Sequence, residues 1–413
     1  MGLSFIPLLL QATLALPEVE FLPELSSHAA VGPNWVRGAS APTLIWMERG
    51  KAQSMILQQS VLQEGGWSPK KTQAESAKAF VNWADFPQAA VSFQGKSLYA
   101  VLEHLDHPGL AYGVRLKTGT ANTAWLHKDM SGVEHGFPSL VAHPEGGWLA
   151  IWLDGRGGKG HGHGPEGEKM SLMATRVAPD GTATREAVVD DRACSCCSTD
   201  LAFTQDGTAW AVYRDRGKDE VRDIALVRIP VNPGQGGEKN QADFQPRIPV
   251  ADGWKIPGCP VNGPALAVEG NQLAYCWFTM GNKGSRPQVR LVFSADGGVT
   301  FETPQQIASG RSLGRVDLEF MDSETVLVTW LESKNQGAAW MAKALNIKTG
   351  ETSPAIPLGE VAGSRADGFL RLSKHQNHIY AAWLEGGAIF TARIRKPTEG
   401  WYATQDSSQQ PAD

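Results

Sequence analysis

The sequence predicts an all-β fold, a β-propeller of seven blades with four antiparallel strands in each blade. Three observations support this prediction. A strand-like phrase recurs at intervals near fifty residues, and each repeat divides into four short strand-like runs. The 413 residues also include 45 glycines and 14 tryptophans, a composition that suits short strands and tight turns. Six blades is the alternative if the first or last repeat is not a blade.

The recurring phrase is a β-rich run with an aromatic residue or Val at its centre. In six of the seven copies a carboxylate follows two residues later. Intervals of this length are typical of propellers rather than of helical solenoids. Because the carboxylate recurs, we expect it to be structural, capping loop N–H groups or pairing an arginine. The seven centres, 51 to 64 residues apart, are Trp46, Val101, Trp152, Tyr213, Trp277, Trp330 and Trp383.

The third repeat shows the expected four strands, and the last repeat shows how the ring would close. In the third repeat we predict strands at 138–142, 148–152, 169–177 and 184–189. The seventh repeat runs out after three strands, near Arg395. The segment 19–22 can supply its missing outer strand, which would close the ring and remove two exposed edges.

We predict a single propeller domain at 17–397 between two terminal segments. Residues 1–16 contain an apolar run and a small-residue stretch, which indicate either a signal peptide or an apolar arm, although no Lys or Arg precedes the run. Residues 398–413, rich in Gln, Ser and Asp, predict a disordered tail. No stretch approaches the roughly 20 apolar residues of a membrane span. We therefore expect an exported monomer, periplasmic or secreted.

The net charge of the chain indicates which classes of partner it can bind. The net charge is -5 and no basic block occurs, so we expect neither nucleic acid nor an anionic membrane surface as a partner. We therefore expect the partner to be a small polar or anionic ligand, such as a glycan.

Strand order predicts which loops share one end of the ring. Successive strands run antiparallel, so loops that enter inner strands meet loops that leave second strands. Function on rigid scaffolds concentrates in such loops. The polar residues that we place there are Arg37, Asp85, Glu134, His135, His161, His163, Cys194, Cys196, Cys197, Cys259, Asn262, Arg315 and Arg365.

Four of the five cysteines fall in two of these loops, and three interpretations stay open. In an oxidising compartment they would form disulfides, for example between Cys259 and one member of the 194–197 cluster. As thiolates they would bind copper(I) or zinc, with His161 and His163 approaching from an adjoining loop. Adjacent Cys196 and Cys197 could instead form a strained, redox-active pair.

The arginines and carboxylates predict a ligand site of a different kind. Arg37, Arg315 and Arg365 come from the first, sixth and seventh repeats, which adjoin in a closed ring. Guanidinium groups bind carboxylates through paired hydrogen bonds, so these arginines would hold an anionic ligand. Asp85 or Glu134 would act as acid or base, with His135 at the same mouth. Salt bridges between blades are the alternative role for these residues.

The segment Ser294-Ala295-Asp296-Gly297-Gly298-Val299-Thr300-Phe301 is similar to the Asp-box, Ser-x-Asp-x-Gly-x-x-aromatic, of the sialidase superfamily. Over its whole length the chain resembles bacterial exported sialidase-like proteins with Asp-box (BNR) repeats. This resemblance implies a propeller in which the box is a turn between the third and fourth strands of a blade. It also implies a glycoside hydrolase-like enzyme that acts on an acidic sugar or glycan.

The chain departs from the sialidase pattern at the catalytic positions. Arg-Ile-Pro occurs at 228–230 and 247–249, in the fourth repeat rather than the first. Only 6 tyrosines are present, and none stands at an obvious late-blade nucleophile position. Two functions therefore stay open: the hydrolase, and a non-catalytic propeller that binds a metal ion or a partner through its cysteines and histidines. Copper or zinc is the cofactor that the second function implies.

Overall fold

The computed structural model of the chain describes residues 15–25, 29–107, 111–119, 122–158, 170–217, 219–234, 244–282 and 285–397. These residues form β-strands, turns and three single-turn 3-10 helices. Among them, no helix is long and apolar enough to cross a membrane. The apolar segment at 1–14, the pair His161 and His163, and the tail from 398 lie outside the described residues.

The first part of the chain forms one nine-stranded sheet. Its strands are β2 (Ala30–Arg37), β3 (Thr43–Arg49), β4 (Met55–Gln63), β5 (Gly66–Trp67), β6 (Lys71–Ser76), β7 (Gln88–Val91), β8 (Ser97–His104), β9 (Tyr112–Thr118) and β10 (Asn122–Trp125). The order is β10-β9-β8-β7-β2-β3-β4-β5, with β6 paired on β4. A short parallel pairing of β2 with β7 joins two antiparallel sets, one that begins at β2 and one that begins at β7.

The middle of the chain forms three antiparallel sheets in strict sequence order. The first contains β11 (His135–Ala142), β12 (Trp148–Asp154), β13 (Met170–Val177) and β14 (Ala187–Ala193). The second contains β15 (Asp200–Phe203), β16 (Ala209–Arg214) and β17 (Ile224–Ile229). The third contains β18 (Ala265–Glu269), β19 (Gln272–Thr279), β20 (Gln288–Ser294) and β21 (Gln305–Ser309). In the second sheet an isolated bridge between Leu226 and Arg247 stands where a fourth strand would pair.

The last part of the chain forms two sheets, and the second of them includes the N-terminus. One contains β22 (Ser312–Asp322), β23 (Thr325–Ser333), β24 (Ala338–Asn346) and β25 (Ile356–Val361). The other contains β26 (Arg371–His375), β27 (His378–Glu385), β28 (Ala388–Arg395) and β1 (Glu18–Phe21), in the order β1-β28-β27-β26. The N-terminal strand thus pairs antiparallel with the last strand, as the sequence predicts, with Glu18 opposite Arg395.

The third repeat follows its predicted strands except at the outer edge. The outer strand begins at Ala187, not at 184, and continues to Ala193. The residues just before it belong to the preceding hairpin turn. In that turn the Gly181 N–H donates to the Ala178 carbonyl and the Thr184 N–H donates to the Arg176 carbonyl. The chain therefore reaches the regular pairing later than the turn residues alone suggest.

The seven repeated phrases all lie in the second strands of their sets, β3, β8, β12, β16, β19, β23 and β27. Four of their tryptophans donate the indole N–H to the carboxylate two residues later, at 2.7 to 3.1 Å. The pairs are Trp46–Glu48, Trp152–Asp154, Trp330–Glu332 and Trp383–Glu385. A buried indole N–H without an acceptor is costly. In these four repeats the carboxylate is therefore structural, through a contact that the sequence did not indicate. Asp154 also makes the predicted contacts, because it caps the N–H of Arg156 and pairs with its guanidinium.

The first strand of each set contacts the first strand of the next set. These contacts run from β2 through β7, β11, β15, β18, β22 and β26, and β26 also contacts β2. The loops that enter these inner strands are thereby brought close to one another, although they come from distant parts of the chain.

Candidate functional site

The cysteine loop, residues 194–199, connects β14 to β15. The Cys194 Sγ lies 3.4 Å from the Cys197 Sγ and 3.9 Å from the Cys196 Sγ. Cys194 and Cys197 are 1% and 2% exposed, whereas Cys196 is half-buried. All five cysteines are described, and none of them forms a disulfide. Three neighbouring thiols can therefore act together as ligands.

A fourth thiol comes from the segment between β17 and β18. Cys259 is exposed, and its thiol interacts with the Cys196 thiol. The two loops are packed tightly, since a Cβ added at Gly263 would lie 2.1 Å from the Ser198 carbonyl oxygen. The sulfurs of Cys194, Cys196 and Cys197 therefore form one group, and Cys259 borders this group beside Cys196.

Arg222 provides the charged contact of this group. One of its guanidinium nitrogens donates to the Cys194 Sγ at 3.1 Å, and another donates to Glu220 at 2.6 Å. Hydrogen bonds from Cys196 and Cys197, together with the charge of Arg222, hold the pKa of Cys194 well below its usual value. Burial raises the pKa of Cys197. Cys194 is therefore the thiol that this surrounding favours as a thiolate.

Arg214 links the cysteine loop to the next sheet. Its guanidinium is buried and donates to the carbonyl oxygens of Arg222, Asn262 and Phe278, at 2.5, 2.8 and 2.7 Å. Carbonyl dipoles satisfy its hydrogen bonds without cancelling its charge. The buried positive charge thus adds to the field that favours thiolates beside it.

Asp85 and Asn262 make the same kind of contact at two junctions between sheets. Asp85 accepts the N–H of Phe137, and Asn262 accepts the N–H of Arg315, both at 2.6 Å. Phe137 and Arg315 have φ values of 51° and 54°. Such a conformation costs a residue other than glycine about 1–3 kcal/mol. Each acceptor therefore stabilises a strained residue at the start of the next inner strand.

Asp85 also has an unusual ionisation. Its pKa is raised to about 7, mainly by burial, with a smaller rise from the negative charge of Glu134, while the hydrogen bond from Phe137 opposes both. Asp85 is 5% exposed and Glu134 is half-buried. A carboxyl group that still holds its proton near neutral pH can act as an acid, provided that a ligand reaches it.

His135 is fully buried. Its Nδ1 lies 2.9 Å from Asp154, its Nε2 lies 3.4 Å from Asp129, and its ring stacks on His127 at 3.8 Å. Asp154 accepts further hydrogen bonds from Arg156, which leaves it little capacity for a metal ion. The structure thus uses His135 to connect β11 with β12.

Two of the three predicted arginines share one aromatic ring. The guanidinium carbons of Arg315 and Arg365 lie 4.9 and 5.9 Å from the ring centre of Trp83. Trp83 is half-buried and stacks on Phe369 at 6.0 Å, and Arg365 is exposed. The sequence did not single out Trp83 as a site residue, although an aromatic residue in a loop that enters an inner strand is a signal for one.

Arg37 does not lie in a loop that enters an inner strand. It is the last residue of β2, so it stands at the far end of that strand. Its guanidinium donates to the Asp200 carboxylate at 2.5 Å and to the Leu201 carbonyl at 2.6 Å. Asp200 and Leu201 belong to β15, so Arg37 joins two separate sheets. These contacts match the alternative role that the sequence left open for Arg37, a salt bridge between repeats.

An apolar cluster fills the space between these loops. Phe86, Phe137 and Phe369 come from three different sets of strands, and each is 5% exposed. Trp83 and Val261 pack against the same cluster. The predicted site residues Asp85, Arg315 and Arg365 therefore surround an apolar centre, and Arg365 is exposed at its edge.

The turn at 294–301 lies between β20 and β21, the third and fourth strands of their sheet. Asp296 accepts the N–H groups of Val299 and Thr300, at 3.0 and 2.9 Å. These bonds fix the turn within its own hairpin. They make it a folding element rather than part of a ligand site.

No protein-family model matches the chain, and no curated protein matches its sequence. Solved structures do resemble it. The BP39L lectin from Burkholderia pseudomallei has a TM-score of 0.57 at 11% identity, over 91% of this chain and 98% of the lectin. A polysaccharide lyase, the PL25 ulvan lyase, has a TM-score of 0.53 at 9% identity, over 90% of this chain and 95% of the lyase.

The NanB sialidase from Streptococcus pneumoniae is more distant. It has a TM-score of 0.44 at 8% identity, over 96% of this chain and 72% of the sialidase. At these identities, the likeness to the lectin and the lyase shows a common all-β fold and nothing about the reaction.

Proposed function

We propose that the chain is an exported, monomeric, single-domain propeller at 17–397, in which seven sets of strands close into a ring. The contact between β26 and β2 and the pairing of β1 with β28 support closure. The predicted signal segment and tail remain part of the proposal.

The function that the geometry supports best is the binding of a soft metal ion, copper(I) or zinc, by Cys194, Cys196, Cys197 and Cys259. One observation carries it: the sulfur atoms of the first three lie within 4.8 Å of one another and form no disulfide. Closely spaced thiolates select copper(I) and zinc over harder ions.

The sulfur positions fit such an ion. With metal–sulfur bonds of about 2.3 Å, ligand sulfurs around a tetrahedral ion lie roughly 3.8 Å apart. The Cys194 sulfur lies 3.4 and 3.9 Å from its two neighbours. These two distances therefore differ from the separation that an ion requires by only a few tenths of an ångström. Cys259, which borders the group beside Cys196, would supply a fourth ligand, and His161 and His163 stay additional candidates.

Copper(I) titration under anaerobic, reducing conditions tests this proposal. The full chain is titrated against the copper(I) chelator bicinchoninate, beside the double variant Cys194→Ser/Cys197→Ser. Wild type should hold one copper(I) per chain at chelator concentrations that strip the double variant. Cys276→Ala, which removes the buried cysteine of β19, is the matched control and should behave as wild type.

Two results would contradict the metal site. Wild-type protein could lose both copper(I) and zinc to weak chelators, or the double variant could bind as tightly as wild type. Far-UV circular dichroism of both proteins shows that any difference is not caused by unfolding.

A second candidate function is the binding of an acidic sugar at Trp83. The observation that favours it is a half-buried indole flanked by two guanidinium groups, one of them the exposed Arg365. A sugar ring can pack on an indole while its carboxylate accepts hydrogen bonds from arginine. A lectin and a polysaccharide lyase among the similar structures support a glycan as the ligand class. Hydrolysis would use Asp85 as the acid, with Glu134 as its partner.

Calorimetry with uronate- and sialate-containing oligosaccharides tests the second candidate. Arg365→Ala and Trp83→Leu should each abolish binding, whereas Arg311→Ala, which removes another exposed arginine, should not. A fluorogenic sialoside tests hydrolysis, which Asp85→Asn should abolish. Binding that survives both substitutions at the indole would rule this site out.

A further inference from the structure

The four sulfurs differ in their access to solvent in a graded way. Cys259 is exposed and Cys196 is half-buried, while Cys197 and Cys194 are 2% and 1% exposed. The order of exposure is also an order of contact, because Cys259 neighbours Cys196 and Cys196 neighbours Cys194. The two outer sulfurs thus offer an ion a stepwise route from solvent to the buried pair.

The segment that carries Cys259 is anchored on one side and open on the other. Asn262 donates to the Pro260 carbonyl at 3.1 Å and accepts the N–H of Arg315, and Val261 packs against the apolar cluster. These contacts fix the backbone that follows Cys259, whose thiol interacts with that of Cys196. On the other side, a Cβ added at Gly258 would meet nothing closer than 4.0 Å. A thiol donor thus has room to approach from that side.

We propose that Cys259 is the receiving ligand of the metal site, which takes copper(I) from a copper(I)–thiolate donor and passes it inward through Cys196. This inference rests on the proposed metal site. The donor is defined by its chemistry, a copper(I) ion held by thiolates, whether the thiol belongs to a small molecule or to a protein.

The transfer is a ligand exchange without a change of oxidation state. The Cys259 sulfur forms a bond to copper(I), one donor thiolate leaves, and the proton of the Cys259 thiol goes to that leaving thiolate. In the next steps Cys196 and then the buried pair replace the remaining donor thiolates in the same way. Copper(I) can be shared by two or three sulfurs at a time, whereas zinc in thiolate sites requires four ligands at once. The graded path therefore suits copper(I).

Loading kinetics test this inference with copper(I)–glutathione as the donor and the full, metal-free chain as the acceptor. Copper occupancy is followed by mass spectrometry under anaerobic conditions for wild type, Cys259→Ser and the control Cys276→Ala. Cys259 is exposed, so the serine variant should keep its thermal unfolding midpoint. We expect Cys259→Ser to load at least tenfold more slowly than wild type, while the control loads at the wild-type rate.

The equilibrium affinity, measured by chelator competition, separates a receiving ligand from an ordinary one. For a receiving ligand, the loading rate falls more than the affinity does. Equal loading rates for wild type and Cys259→Ser would overturn the inference and leave the metal site standing. The inference would also be overturned if Cys259→Ser lost affinity only because it releases copper faster than wild type. Wild-type protein that takes up no copper would instead refute the metal site itself, and this inference with it.

Discussion

Two loop regions that enter inner strands use their polar groups in different ways. In the loop that enters β7, the Asp85 carboxylate accepts the N–H of strained Phe137 in β11 and so joins two sets of strands. In the cysteine loop, Cys194 instead contacts other thiols and a guanidinium group. Thiols are weak hydrogen-bond donors and acceptors. Folding therefore explains the first arrangement and leaves the second without a structural reason.

The comparison shows that position at the ends of inner strands is not enough to identify a functional residue. Asp85, Asn262 and Arg37 all occupy prominent positions, and each is engaged by backbone or side-chain groups of another set of strands. What distinguishes the cysteine loop is a group of soft ligands whose contacts the fold does not need.

Loss of a central sulfur should give the largest effect on the cysteine side of this comparison. Cys194→Ser removes one of three or four thiolates, and structural zinc sites bind with about 10–16 kcal/mol in total. We expect a loss on the order of 3 kcal/mol, which is about a hundredfold in affinity. Competition with a copper(I) chelator measures it. An unchanged affinity would place the metal elsewhere in the chain.

Substitution of Asp85 should change the stability of the protein. The change should be a gain, whereas substitution of Cys194 causes a loss of metal affinity. The folded-state pKa of Asp85 is raised from 3.8 to about 7, so its contribution to stability is complete below pH 4 and is lost as the pH rises to 7. A shift of this size corresponds to at most about 4 kcal/mol above pH 7. The new buried amide N–H₂ group in Asp85→Asn offsets roughly 2 kcal/mol of this gain.

Asp85→Asn should therefore be more stable than wild type at pH 8, by about 2 kcal/mol, and should have no such advantage at pH 4. Urea unfolding at the two pH values measures the difference. Asp106→Asn, at an exposed ion pair with Lys78, makes the same change in charge and should show no such pH dependence. If Asp85→Asn were less stable than wild type at pH 8, the buried carboxyl would not be the source of the pH effect.

The smallest expected effect concerns Arg222. Its hydrogen bond to Cys194 orients a ligand without occupying a ligand position. Loss of such outer contacts typically costs roughly 10–100-fold in metal affinity. We expect Arg222→Gln to weaken copper(I) binding about tenfold, near the lower end of that range, with an unchanged stoichiometry. Arg192→Gln, which removes a guanidinium 3.7 Å from Glu220, is the control and should leave the affinity unchanged.

The sequence predicted the strands well because their signals are local. The aromatic centres, the turn residues and the spacing of the repeats all depend on neighbours within a few positions. The phrase around Trp383, for example, lies in β27, and the segment near 19–22 pairs with the last strand. Strand ends were less exact: in the third repeat, hydrogen bonds of the preceding hairpin delay the outer strand by three residues.

The candidate site was predicted only in part because its contacts join distant repeats. The proximity of Cys194, Cys196 and Cys197 follows from their spacing, and the strand order predicted the approach of Cys259. The sharing of Trp83 by two arginines depends on side-chain directions in separate loops, which no local pattern encodes. The same is true of the bond from Phe137 to Asp85, which gives a predicted acid a structural role.

X-ray absorption of the copper-loaded full chain tests the proposed metal site, because it reports which atoms surround the metal ion. We expect a shell of three or four sulfur atoms at about 2.3 Å, which Cys194→Ser reduces or abolishes. A shell dominated by nitrogen or oxygen, or one that is the same in wild type and Cys194→Ser, would contradict the claim that the cysteine group is the metal site.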